Sequence, residues 1–138
     1  MSETTKERME EALKKHDKGY NCAQAVSCVF CDKVGVDEET MFRITEGMGL
    51  GMGGMEGTCG AIGAASILSG LKNSSAHLEN PDSKKISYEM SSQCLSNFKN
   101  QNGSVICKDL KGAETGKVLR SCSDCIADSV RIIDETLF

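Results

Sequence analysis

Apolar positions recur every three to four residues along most of the chain, and no stretch alternates with period two, so the pattern predicts helices and no strand. Residues 2–17 read as a charged helix with a thin apolar stripe at Met9, Ala12 and Leu13, ended by Gly19-Tyr20. Asn21-Cys22-Ala23-Gln24 has the form of a capping box, with Asn21 as N-cap and Gln24 reaching back. It opens a helix that carries Cys22, Ala25, Val26, Val29 and Phe30 on one face and Cys28 and Cys31 on the opposite, polar side. Gly35 stops that helix. Asp37 can cap the next, which runs to about Glu46 with Met41, Phe42 and Ile44 apolar.

From Met48 the character changes. Gly49, Gly51, Gly53, Gly54 and Gly57 make a loop with little side-chain bulk, able to fold tightly and bring bare backbone close to something. Thr58 is an acceptable N-cap and places Cys59 in the first turn of a helix. There Cys59, Ile62, Gly63, Ser66, Ile67 and Leu71 share a face, while Ala61, Ala64, Ala65 and Leu68 cover much of the rest. A helix of small and aliphatic residues nearly all round belongs at the centre of a domain.

Residues 72–80 form a polar connection, and Asn80-Pro81 starts a helix with Ile86, Met90, Cys94 and Phe98 at i+4 spacing. Asn102-Gly103 ends it. Ser104 caps a short helix, Val105 to Lys111, with Cys107 in its first turn, and Gly112 to Gly116 is a loop. Ser121-Cys122-Ser123-Asp124 is a second capping box. It opens a final helix with Ile126, Val130, Ile133 and Leu137 on its core face and Cys122 one turn before Ile126. The expectation is an all-α, single compact domain over residues 1–138, of about five main helices plus a short one.

Composition narrows the function. A formal charge of −4, no basic cluster and few aromatics (four Phe, two Tyr, no Trp) exclude a nucleic-acid surface. The run Met-Ser-Glu-Thr-Thr-Lys-Glu-Arg is charged, with no apolar signal region, and no apolar run approaches the roughly 18 residues needed to span a bilayer. A cytoplasmic setting without membrane insertion is therefore expected, where thiols stay mostly reduced. Eight cysteines there point to thiol redox chemistry, to a metal or iron–sulfur site, or to small buried hydrophobes. No nucleotide-binding loop, Ser/His/Asp set or carboxylate pair is evident.

Four of the cysteines, Cys22, Cys59, Cys107 and Cys122, fall in the predicted first turns of four different helices. A helix start lowers a thiol pKa and stabilises a thiolate or a metal–thiolate centre. The order Gly19-Tyr20-Asn21-Cys22-Ala23-Gln24-Ala25-Val26, Gly53-Gly54 to Thr58-Cys59-Gly60-Ala61, Gly103-Ser104 to Cys107-Lys108-Asp109-Leu110, then Cys122 before Ile126, resembles the C_GCAxxG_C_C family, over about residues 8–135. The resemblance implies a helical domain with four signature cysteines and a proposed redox role, without a defined reaction. Two departures stand out. Ala64 replaces the last glycine of the Cys-Gly-Ala-x-x-Gly motif, with Gly63 beside it, and Cys122-x-x-Cys125 offers two candidates for the fourth cysteine, of which Cys122 is preferred for its spacing to Ile126.

Two chemistries compete for these cysteines. Thiols of Cys59, Cys22, Cys107, Cys122 and Cys125 could cycle between dithiol and disulfide or transfer electrons, with Cys59 as the central thiolate, toward a redox partner protein or small-molecule substrate. Alternatively, Cys22, Cys59, Cys107 and Cys122 could ligate an iron–sulfur cluster or zinc in a non-catalytic module. Gly53, Gly54, Gly57, Thr58 and Gly60 suit either, because exposed N–H groups stabilise sulfur. A helical interaction protein with structural cysteines, such as a homodimer, is the third reading. Cys28-x-x-Cys31 reads as incidental or as an accessory pair, His16 and His77 as surface residues, and Met48, Met52 and Met55 as loop packing rather than soft-metal ligands.

Overall fold

The computed structural model describes residues 1–138. Its first helix, α1 (Glu3–Lys18), is capped by Ser2, whose hydroxyl accepts the Thr5 N–H, and ends at Gly19 with a φ of 121° that favours glycine. The Asn21 capping box forms as expected and opens α2 (Cys22–Cys28). This helix does not continue to Gly35. It breaks at Val29-Phe30, and α3 (Cys31–Val34) follows on a new axis before Gly35 closes it in the left-handed region. The break turns Cys28 inward, so it is buried in the core rather than on a polar face. Asp37 then caps α4 (Glu38–Thr45).

The central helix is α5 (Gly60–Asn73), followed by α6 (Lys84–Asn102), the short α7 (Cys107–Lys111) and α8 (Cys122–Leu137). The domain is all-helical and single. The α5 helix packs against α2, α6 and α8, and α1 lies along α8. Ala61, Ile62, Gly63, Ala64, Ala65 and Leu68 of α5 are all buried, and their small side chains let three neighbours approach one helix. Ala64, standing where the motif has glycine, is fully enclosed and fits. Phe30, Phe98, Ile62 and Leu68 are also fully buried, each stabilising the fold by about 1.5–3 kcal/mol.

Two helix starts differ from expectation: α7 opens at Cys107 with Ile106 at its cap rather than at Val105 after Ser104, and α6 opens late. Asn80-Pro81 lies outside α6, which begins only after Ser83. Here Asp82 and Ser83 are occupied in tying the connection back to Ser75, so the helix is delayed by three residues. Of the apolar series on α6, Cys94 and Phe98 are buried, whereas Ile86 is exposed. No helix is long and apolar enough to cross a membrane.

Candidate functional site

The glycine loop is shaped by backbone pairing. The Cys59 N–H donates to the Val105 carbonyl (2.6 Å) and the Cys107 N–H to the Gly57 carbonyl (3.0 Å), so that Thr58 and Ile106 form one antiparallel bridge. This pairing sets the start of α5 beside the start of α7. Within the loop, Gly51 has φ 56°, and a Cβ there would lie 2.4 Å from the Cys107 Cβ. At Gly60 a Cβ would lie 2.7 Å from the Met48 carbonyl and 2.9 Å from Cys22 Sγ. Glycine at these two positions is what admits the two cysteines. Gly53 and Gly54 face open space and Gly57 packs on Met52, so none of these three, nor Thr58, borders the cavity described next. Met48 packs toward Gly63.

A cavity of about 200 Å³ opens between the starts of α2, α5, α7 and α8. Cys22, Cys59, Cys107, Cys122 and Cys125 all line it, with Leu50, Leu110, Lys111, Arg120, His16 and Asn21 completing the wall. Cys59 is itself the N-cap residue of α5 rather than a first-turn residue, and its side chain caps nothing. Cys22, Cys107 and Cys122 each open their helix. All eight cysteines of the chain are free thiols.

The expected placement of Cys122 on the core face of α8 needs correcting. Cys125, not Cys122, is the buried one and belongs to the hydrophobic core, whereas Cys122 is half-buried at the cavity edge. The helix turn after Ser121 carries position 125, rather than 122, toward Cys59. The Cys125 thiol donates to the Arg120 carbonyl (3.9 Å).

The sign of the thiol shifts also departs from expectation. Cys59 is pushed up to about 12, because its thiol donates toward Cys125 and is buried; the Cys22 thiol and the Ala61 N–H only partly offset this. Cys22 is raised by the neighbouring Cys59 and by burial, against the Leu50 and Ala23 N–H groups. Cys107 is raised by burial, with Lys111 pulling the other way. The helix-start field is present, but desolvation and sulfur neighbours outweigh it. Cys22 and Cys59 thus stay protonated at neutral pH, and with the neighbouring Cys125 thiol they form a line of mutually interacting groups at the cavity floor.

Charge enters at the rim. Arg120 is held by Asp128 (2.9 Å) and Asp124 (3.7 Å), and His16 Nδ1 pairs with the Tyr20 carbonyl (3.0 Å). Lys111 has no carboxylate partner; its ammonium hydrogen-bonds Cys122, which raises the lysine pKa. Lys111 and Arg120 belong to no motif of the sequence, and His16, expected as a surface residue, instead joins the cavity wall. Lys111 had a signal, since it follows Cys107 by four residues and shares its helix face. His77 is remote and exposed, paired with Asp82.

The family model described as "Putative redox-active protein (C_GCAxxG_C_C)" matches residues 20–136, a span that contains all five cavity cysteines. The chain belongs to the C_GCAxxG_C_C family. No curated protein and no solved structure matched it. For this C_GCAxxG_C_C chain, the motif reads as packing: Cys59 on the cavity wall, Gly60 against Cys22, and Ala61 and Ala64 in the core.

Proposed function

We propose that the chain is a thiol redox protein whose cavity cysteines cycle between dithiol and disulfide. The observation that carries this reading is that five of the eight cysteines, from four separate helix starts, line one small cavity. Cys122, half-buried at the cavity edge with the Lys111 ammonium beside it, is the thiol placed to meet an incoming disulfide, because Cys59, Cys107 and Cys125 are buried behind it. Its attack forms a mixed disulfide and releases the first substrate thiol. A second cavity thiol, Cys125 on the same face or Cys107 across the gap, then displaces the other substrate thiol. In sum, two protein thiols give up two electrons and two protons, and the substrate disulfide becomes two thiols. Cys59 and Cys22, protonated below, act as the reserve that can reopen a cavity disulfide. A reducing compartment such as the cytoplasm suits eight free thiols.

A second reading keeps the same residues. Five thiol donors around one apolar-walled cavity are a donor set that an iron–sulfur cluster takes. A single zinc ion does not fit the side chains as placed. Zn–S bonds of about 2.3 Å need donors converging on one point, and no three His, Cys, Asp or Glu side chains do so.

One experiment separates these readings. Protein purified anaerobically is analysed for iron, zinc and sulfide, and its free thiols are counted before and after incubation with a small disulfide. The redox reading expects eight free thiols, no stoichiometric metal, and loss of thiols in pairs that map to the cavity. Stoichiometric iron and sulfide would establish the cluster instead. Cavity thiols that all stay free in oxidising buffer, with no metal, would leave them structural.

A further inference from the structure

We infer that Cys28 and Cys31 form a second redox dithiol, oxidised to a disulfide independently of the five-cysteine cavity. The two lie three residues apart across the break between α2 and α3, with Val29 and Phe30 at the turn. Val29 (φ −78°, ψ −5°) and Phe30 (φ −111°, ψ 10°) take the dihedrals of a type I turn, which holds the Cα atoms of Cys28 and Cys31 within about 7 Å, the reach a disulfide needs. The Cys28 thiol donates to the Glu38 carbonyl (4.0 Å), and the two sulfurs lie near enough to shift each other's ionisation. Cys28 is buried at the floor and Cys31 is half-buried above it, an arrangement of resolving and attacking thiol.

The pair opens onto its own surface depression of about 400 Å³, bordered by Glu7, Arg8, Glu11 and Asp32. That depression shares no residue with the cavity. Cys22 and Cys28 stand at opposite ends of α2, about 9 Å apart along its axis at 1.5 Å per residue. The break is braced rather than loose. Arg8 of α1 makes a two-pronged pair with Asp32 (2.9 and 2.8 Å) and also donates to the Val29 carbonyl freed by the turn. A fixed turn holds both sulfurs in position while Cys31 is reached from outside.

The co-reactant is a low-molecular-weight disulfide. Cys31 sulfur attacks one of its sulfurs, forming a mixed disulfide and releasing one thiol. Cys28 sulfur then displaces the second thiol and closes the Cys28–Cys31 bond. Two protein thiols lose two electrons and two protons; the small disulfide gains them. Burial raises both thiols, Cys28 to about 12, so the reaction accelerates as pH rises through the alkaline range.

The test uses the full chain, reduced and then equilibrated anaerobically with glutathione buffers of rising oxidised fraction, acid-trapped, digested and mapped by mass spectrometry. A Cys28–Cys31 disulfide is expected in the wild type. In Cys28→Ser, Cys31 accumulates as the glutathione mixed disulfide; in Cys31→Ser, Cys28 stays free. In Cys122→Ser, the Cys28–Cys31 bond forms at the same oxidised fraction. The inference is overturned if Cys28 and Cys31 stay free in the wild type, if either pairs only with cavity cysteines, or if Cys122→Ser abolishes the bond. Should Cys28→Ser lose its helical circular dichroism, the wild-type map and the half-buried Cys31→Ser decide the matter.

Discussion

Gly60 stands so close to Cys22 that a Cβ at residue 60 would lie 2.9 Å from the sulfur, with the Met48 carbonyl at 2.7 Å on another side. In an open helix, Gly→Ala is stabilising by about 1 kcal/mol. Here the backbone contact reverses the sign. Gly60→Ala is expected to destabilise by about 1–3 kcal/mol, the usual cost of overpacking, as read from urea denaturation under reducing conditions. An increase in stability would show that α2 and α5 can separate freely at the cavity.

The raised thiols make stability depend on alkaline pH. Cys59 ionises near 9 when unfolded but only at about 12 when folded, and Cys22 is raised as well. Between those values the folded state holds more protons than the unfolded state, so stability falls as pH rises. Below pH 9 both states are protonated and these groups contribute no slope. Denaturation midpoints in reducing buffer should therefore be flat with respect to these thiols below about pH 9 and fall above it. Cys59→Ser and Cys22→Ser should each make that alkaline decline shallower.

Lys111 is the rim cation without a carboxylate partner, and it contacts Cys122. Lys111→Met is expected to slow alkylation of Cys122 by the anionic reagent iodoacetate by roughly threefold, since the neighbouring cation that draws the anion is lost. The rate with neutral iodoacetamide should change little. Cys31, half-buried and outside the cavity, serves as the internal control in the same peptide map. Equal slowing at every thiol, or none at Cys122, would remove Lys111 from the chemistry.

Asp128 is buried and holds Arg120 with two contacts, while the Arg120 carbonyl accepts the Cys125 thiol. Removing the carboxylate leaves a partly exposed guanidinium and frees the segment that orients Cys125. Asp128→Ala is expected to cost about 1–2 kcal/mol, below the full penalty for a buried pair because Arg120 is partly solvated. It should also raise the alkylation rate of Cys125 in the folded protein.

Much of the fold could be read locally. The Asn21–Gln24 box, the Asp37 and Ser121 caps and the Gly19, Gly35 and Gly103 stops are each set by a few adjacent residues. The failures share a different cause. The α2–α3 break depends on Arg8, some twenty residues earlier, taking up the Val29 carbonyl. The delayed start of α6 depends on Ser75 engaging Asp82 and Ser83. Cys125 rather than Cys122 is buried because of how α8 sits on α5, and the upward thiol shifts come from sulfurs that the sequence keeps far apart. Periodicity places cysteines on helix faces; it does not say which sulfurs meet.

The bridge between Thr58 and Ile106 has a consequence for how the molecule acquires its cysteine partners. It joins segments distant along the chain, and such pairings close late because a long loop must be ordered first. Until then the cavity does not exist, and eight cysteines allow 105 complete pairings. Order of events then decides the product: a chain that folds before meeting an oxidant draws its disulfides from neighbours, whereas one oxidised while still open draws them at random. Refolding from denaturant should return one disulfide pattern when oxidant is added last and a mixture when it is present from the start.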